Sequence, residues 1–469
     1  MITLIFAFFS TIAFASPVLM TGLEQVNKDL NNPQVFNAQT CPEYINKVTD
    51  FLFAQPANHF IPQSPEDIQS FKEQGIEMVQ GVFMVRAKLN HLLQKFSSEK
   101  SLTDACILKM REGMQYARFT EEYLIDWLVQ NKVVTFKESP ILAGESPFLL
   151  RNTKFAAVNI QPGDVLLIRG KSYVSAMIAR IGDEEGNFSH MAIVAENDKG
   201  ELFIVESLIQ YGVVTTPLEK WRQTPDASVA LYRQNDISLA HKAAHYAYTW
   251  SQKPAEYDFE MDDAKYDKVF CAEVVKLAYD KASDGKVILP AYRSHVSKFK
   301  GGAYPKSLGV MSDSLFAPYD IEVDPRFDLV AEWKYFPLLR QVRMQDSVFQ
   351  SIYAWMPALN YKFYSNWWIT TQAYVGKGIR YLGFMSDEFP TYMPIQTMES
   401  VLQFETVSKA LEANLEEKES QYYTAHGYLP SFMDMMRIND EYRRADCQLF
   451  QDGKSSQFHD IFRGDSCNQ

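Results

Sequence analysis

The stretch Gln161-Pro-Gly-Asp-Val-Leu-Leu-Ile-Arg-Gly170 decides how the rest of the chain is read. A Pro-Gly-Asp turn runs straight into four apolar residues, the signature of a buried strand entered from a tight turn. After a polar interval come Phe188-Ser-His-Met-Ala-Ile-Val-Ala-Glu196 and Glu201-Leu-Phe-Ile-Val-Glu-Ser207. Much further on lies Val269-Phe-Cys-Ala-Glu-Val-Val-Lys-Leu-Ala-Tyr279, whose apolar residues recur at helical spacing. These segments predict two strands carrying His190 and Glu206 and a helix that opens at Cys271. A thiol, an imidazole and a carboxylate on separate rigid elements are the parts of an activated nucleophile.

Outward from this centre, short apolar runs bounded by Gly, Asp and Asn predict strands at Val165–Ile168, Met191–Val194, Leu202–Val205, Gly212–Thr215 and Val229–Tyr232, in a mostly antiparallel sheet. Helices are expected over Ser172–Ile181 and Ser238–Ser251. Upstream, from Ser16 to about Lys137, the pattern is helical. Ile68, Phe71, Ile76, Met78, Val79, Val82, Phe83 and Val85 recur at three- and four-residue spacing behind the start signal Ser64-Pro65-Glu66. A second helix is expected from near Ser101 through Trp127, forming an antiparallel pair with the first.

Periodicity lapses between Thr135 and Pro162. A Gly- and Pro-rich stretch covers 301–326. These two breaks suggest a helical region over 16–140, a sheet-bearing domain over 155–300 and a mainly helical, aromatic-rich region over 327–469. In the last, helices are expected near Met398–Tyr423 and Pro430–Phe450. The aromatic segment Trp355–Phe384 is expected in a core or an interface, with sugar or lipid contact as the functional alternative.

The chain has 469 residues, 46% hydrophobic, and a formal net charge of −12. That balance argues against a partner bound through its phosphate backbone, so no nucleic acid is expected. Residues 1–15 carry no charge and end in Ala13-Phe14-Ala15, the pattern of a cleavable signal peptide, so the protein is expected to be exported with removal after Ala15. No transmembrane anchor is expected.

Five cysteines in an oxidising compartment leave one unpaired. If that one is Cys271, the pairs Cys41–Cys106 and Cys447–Cys467 each fall within one predicted region. The alternative is five reduced, buried thiols.

Taken singly, each candidate has a plainer reading. Cys271 could be a small buried apolar residue, His190 a structural histidine, and Glu206 an exposed strand tip. Asp258, Glu260, Asp262, Asp263 and Asp267, just upstream, would oppose a thiolate. His241 and His245 sit four apart, a metal-ligand spacing, but no third ligand accompanies them. The run from Asp258 begins like a calcium loop yet has Asp263 and Val269 where Gly and Glu are required, and is rejected. No cofactor and no metal are expected.

Together the order and flanks resemble a family. Gly163-Asp164 at a strand start, Ser-His-x-Ala-Ile-Val, a strand ending in Glu, Gly212-Val213 before Pro217-Leu218, then Cys-x-Glu-Val-Val are similar to the YiiX/YebB-like branch of the NlpC/P60 superfamily, the circularly permuted papain-like cysteine hydrolases. The likeness covers roughly 160–285. It implies an α+β fold, a permuted papain-like catalytic domain with an antiparallel sheet and a Cys-bearing helix, flanked by helical regions. It further implies Cys271 as nucleophile, His190 as general base, Glu206 as its orienter, and a structural role for Asp164. Ala272 stands where relatives often have Ser. The expected activity is hydrolysis of a peptide or isopeptide amide, with cell-wall peptides among the substrates. An acyltransferase or acyl hydrolase acting on lipids, and a non-catalytic envelope-binding protein, are the alternatives the same likeness leaves open.

Overall fold

The computed structural model describes residues 18–61, 64–134, 148–150, 159–170, 173, 177, 180, 182, 186, 188–262, 267–299, 304–364, 367–381 and 392–467. The expected leader and most of the expected helix Ser172–Ile181 lie outside them.

Seven strands form one antiparallel sheet: β1 (Phe148–Leu150), β2 (Val165–Arg169), β3 (His190–Glu196), β4 (Leu202–Leu208), β5 (Gly212–Pro217), β6 (Ser228–Gln234) and β7 (Phe327–Lys334). Their spatial order is β1-β7-β6-β2-β3-β4-β5. All of β2 is buried. Its odd residues Val165 and Leu167 enter one apolar core and its even residues Leu166 and Ile168 enter another. A strand covered on both faces reads as an unbroken apolar run, which is why this stretch stands out in the sequence. The register sets Leu166 opposite both Ala192 and Leu231, and Ile193 opposite Val205.

Helices cover the sheet. On the Val165 face lie α6 (Ile237–Ser251), capped by the Asp236 carboxylate at the Leu239 N–H, and α7 (Cys271–Ala282). On the Leu166 face the short helix α5 (Leu218–Trp221) contributes Leu218 and Trp221. Ahead of the sheet come α1 (Val18–Leu30), α2 (Cys41–Val48), α3 (Pro65–Ser98) and α4 (Asp104–Gln130). The hydroxyls of Ser64 and Thr103 cap α3 and α4. The second long helix therefore starts within the expected Ser101-Leu-Thr-Asp stretch, with Thr103 as its cap. Ile76, expected on the apolar stripe of α3, is exposed. Cys41–Cys106 ties α2 to α4, Cys447–Cys467 closes the C-terminal region, and Cys271 is free, in the pairing expected from the sequence.

Strand β7 departs from the expected organisation. It pairs with β6 along its whole length, Ser228 opposite Lys334 and Leu231 opposite Ala331. A boundary ahead of residue 327 would cut this strand from its sheet. Glu332 and Lys334 are fully buried, and join Arg86 of α3 and Glu121 and Glu122 of α4 in one ion network. Arg118 pairs with Glu322 in the same region. Burying these charges costs about as much as their pairing returns, so the network adds little net stability, but removing one member would cost about 3–5 kcal/mol.

After β7 the chain forms α8 (Phe336–Leu359), α9 (Trp367–Tyr381), α10 (Ile395–His426) and α11 (Phe432–Gln451). The first two of these were not anticipated as helices. The aromatic segment divides: Trp355 and Tyr361 are buried, in keeping with a core role, whereas Trp367 and Trp368 are 76% and 55% exposed. Its residues 365, 366 and 382–384 lie outside the described ones.

Candidate active site

Strand pairing brings the imidazole and carboxylate together. The β3–β4 register places Val194 opposite Ile204, so its continuation sets Ala192 opposite Glu206, with His190 one diagonal step away on the same face. Long side chains span that diagonal. His190 Nε2 lies 2.7 Å from Glu206 Oε2. The other carboxylate oxygen, Oε1, accepts a 3.0 Å hydrogen bond from Trp221 Nε1 in α5. With both oxygens held, Glu206 is fixed in the plane it offers His190.

The thiol arrives from α7, whose first residue is Cys271. Three bonds set where that helix begins. Ser207 Oγ donates to the Val269 carbonyl at 2.7 Å, fastening the approach to the end of β4. Glu273 Oε2 accepts from the Phe270 N–H at 3.0 Å, capping the first turn. Tyr279 Oη donates to the Gly163 carbonyl at 2.6 Å. Gly163 has φ +84°, and a Cβ there would lie 2.4 Å from the Ala240 carbonyl oxygen, so this turn requires glycine. Next to it Asp164 accepts both prongs of Arg233 (2.8 and 2.7 Å) and the Gln161 N–H, a structural brace remote from the thiol in its bonding.

Cys271 adjoins the His190 ring, near enough to act on its protonation. Since Nε2 is held by Glu206, Nδ1 is the nitrogen left for sulfur. Burial of the ring opposes its charged form. The hydrogen bonds to Cys271 and Glu206, and the charges on both, outweigh that cost and push the His190 pKa up to about 10. The imidazolium is therefore the resting form at neutral pH, and it neighbours the sulfur.

A cavity of 560 Å³ exposes the trio, and Tyr257, Lys220 and Trp221 also line it. Burial, and then charge at Cys271, hold the Tyr257 phenol well above its usual range, so it remains an O–H donor beside the sulfur. Trp221 and Tyr257 were not singled out from the sequence. Trp221 follows the Pro217-Leu218 pair by three residues, and its reach to Glu206 becomes apparent only once β5 is laid against β4.

The remaining candidates stay apart from this site. His241 and His245 are exposed and face Glu196 (3.2 Å) and Asp198 (3.6 Å). Asp258 turns both carboxylate oxygens onto its own loop, accepting from the N–H groups of Glu260 and Asp262 at 3.0 and 2.9 Å. Cys447, His459 and Cys467 cluster closely enough to hold a metal ion, but the two sulfurs are joined to each other and His459 Nδ1 is bound to Asp446 at 2.7 Å. No helix among the described residues is long and apolar enough to cross a membrane.

Residues 159–296 match a family model described as permuted papain-like amidase enzyme, YaeF/YiiX, C92 family. The matched segment spans the trio and most of the sheet, and in it the chain is similar to the YiiX-like permuted papain fold of the cysteine amidases and peptidases. Among solved structures, one described as the metalloprotein yiiX from Escherichia coli O157:H7 is similar at 18% identity, covering 38% of this chain and 98% of that one with a TM-score of 0.30. No curated protein matches.

Proposed function

We propose that this protein is an exported cysteine amidase that cleaves peptide or isopeptide bonds, with Cys271 as nucleophile, His190 as acid and base, and Glu206 as the orienting carboxylate. The observation that carries the proposal is the bonded chain from His190 through Glu206 to Trp221, with Cys271 in the same cavity wall. In this mechanism the Cys271 proton passes to His190, leaving thiolate beside imidazolium. Thiolate attacks the amide carbon, and the negative oxygen that forms faces the backbone N–H at the start of α7 and the Tyr257 hydroxyl. As the C–N bond breaks, the imidazolium hands its proton to the leaving nitrogen. A water molecule, deprotonated by His190, then attacks the thioester, the sulfur departs as thiolate from the carboxylic acid product, and the thiolate–imidazolium pair is restored.

Two features support export: the uncharged leader-like residues 1–15 and the two disulfides, which persist in oxidising compartments. In that setting a cell-wall peptide is a fitting substrate. The cavity walls offer Lys220 and Asp226 alongside Trp221 and Ile209, suited to a peptide with polar groups. No described residue of the aromatic segment lines it.

The test is alkylation of Cys271 by iodoacetamide at pH 6, where an ordinary thiol is only about 0.3% ionised. Wild type should react at least tenfold faster than His190→Ala, and should release product from a muropeptide mixture that Cys271→Ala leaves intact. Equal alkylation rates would remove the basis for the mechanism. Activated sulfur with no amide cleavage would turn attention to acyl transfer.

A further inference from the structure

A second cavity, 240 Å³ in volume, opens between α4 and the segment Ala291–Lys298 that follows α7. Arg111, Arg293, His295 and Lys298 line it, against a single carboxylate, Asp104. In a chain of formal charge −12, a small hollow with three permanent cations in its wall runs against the overall field.

The two guanidiniums are anchored from behind. Arg111, only 6% exposed, donates to Asp320 and, at 3.4 Å each, to Ser294 Oγ and the Tyr292 carbonyl. Its Nε is buried with no hydrogen-bond partner, a donor left for one more acceptor. Asp320 is already shared, since it also accepts from the Ala317 N–H at 2.8 Å and from Ser294 Oγ at 2.9 Å. Arg293 is held by its bond to the Ser314 carbonyl at 3.1 Å. Lys298 is exposed at the mouth.

We infer that this cavity is a binding site for a phosphate group, clasped between the N-terminal helical region and the amidase segment. Guanidiniums on fixed tethers match the oxygen edge of a tetrahedral oxyanion, and the lysine adds charge without demanding direction. The volume lies below that of ordinary small-molecule pockets, which suits a phosphate on a short stem and excludes a whole nucleotide. Cys271 takes no part, so the site stands or falls independently of the hydrolase reading. Because its walls come from α4 and from the segment after α7, an occupant would fasten the two together.

The experiment is calorimetric titration of the full chain with inorganic phosphate at constant ionic strength, with sulfate as the charge-matched comparison. Saturable phosphate binding is expected with a dissociation constant below about 1 mM. Arg293→Gln and Lys298→Gln should each weaken it about tenfold, Asp104→Asn should tighten it, and Lys199→Gln, on a distant turn, should leave it unchanged. Phosphate should also raise the unfolding temperature of wild type over matched chloride, and the rise should vanish in the Arg293→Gln/Lys298→Gln double variant. Absence of saturation by about 10 mM, or equal weakening by Lys199→Gln, would overturn the site. Sulfate binding as tightly as phosphate would reduce it to a general anion trap and overturn the assignment to phosphate.

Discussion

Replacing Glu206 with Gln keeps the shape of the side chain and removes its charge from beside His190. The His190 pKa stands at about 10, against an ordinary 6.5, because Cys271 and Glu206 together outweigh the burial of the ring. A single opposite charge in contact shifts a pKa by about 1–3, so Glu206→Gln should bring His190 down to about 8. That drop corresponds to about 2.7 kcal/mol lost from the imidazolium form. The consequence is selective in pH. At pH 6 both proteins carry the imidazolium and should alkylate at similar rates. At pH 9 wild type should remain about 90% imidazolium and the variant about 10%. NMR titration of the ring, with activity followed over pH 6–11, reads both effects. The same raised pKa links to folding. Since the native ring holds its proton more tightly than the unfolded one, the stability it contributes is complete below about pH 6.5 and disappears as pH rises through about 10. An alkaline limb that stays near 10 in Glu206→Gln would refute the role given to this carboxylate.

Trp221→Phe removes the only described donor to Glu206 Oε1 while keeping an aromatic ring. It should lower turnover several-fold with little change in melting temperature, and restoring a donor with Trp221→His should recover part of the loss. Replacing Cys41 and Cys106 with Ser opens a loop of 65 residues, which should cost about 4 kcal/mol in denaturant titration and leave the alkylation rate of Cys271 unaltered.

Much of this site was legible because its elements carry local signals. Strands β2 to β6 are apolar runs between turn residues, and α7 repeats Val274, Val275 and Ala278 on one face. Strand β7 escaped because Asp328, Glu332 and Lys334 interrupt its apolar pattern. Those charges read as a solvated face, yet the last two are fully buried, satisfied by partners on α3 and α4 that no local pattern reveals. Trp221 was invisible for a related reason: its hydrogen bond depends on the pairing of β5 with β4, which is a property of register. The upstream acids that seemed to oppose a thiolate include Asp258, which spends its oxygens on its own loop.

The ion network around β7 has a consequence for the order of assembly. Arg86 meets Glu332 across 246 residues of chain, and Arg118 meets Glu322 across 204. During synthesis the N-terminal helices emerge with Arg86 able to meet Glu121 but with Glu332 and Glu322, the later partners of Arg86 and Arg118, still to come. The edge of β6 likewise stays open until the ribosome has passed residue 334. Contacts this distant in sequence form late and slowly. The region that looks like an accessory to the amidase segment is thus the part that must wait longest, and a nascent chain halted before β7 would present bare strand edges and lone buried-type charges to any neighbour within reach.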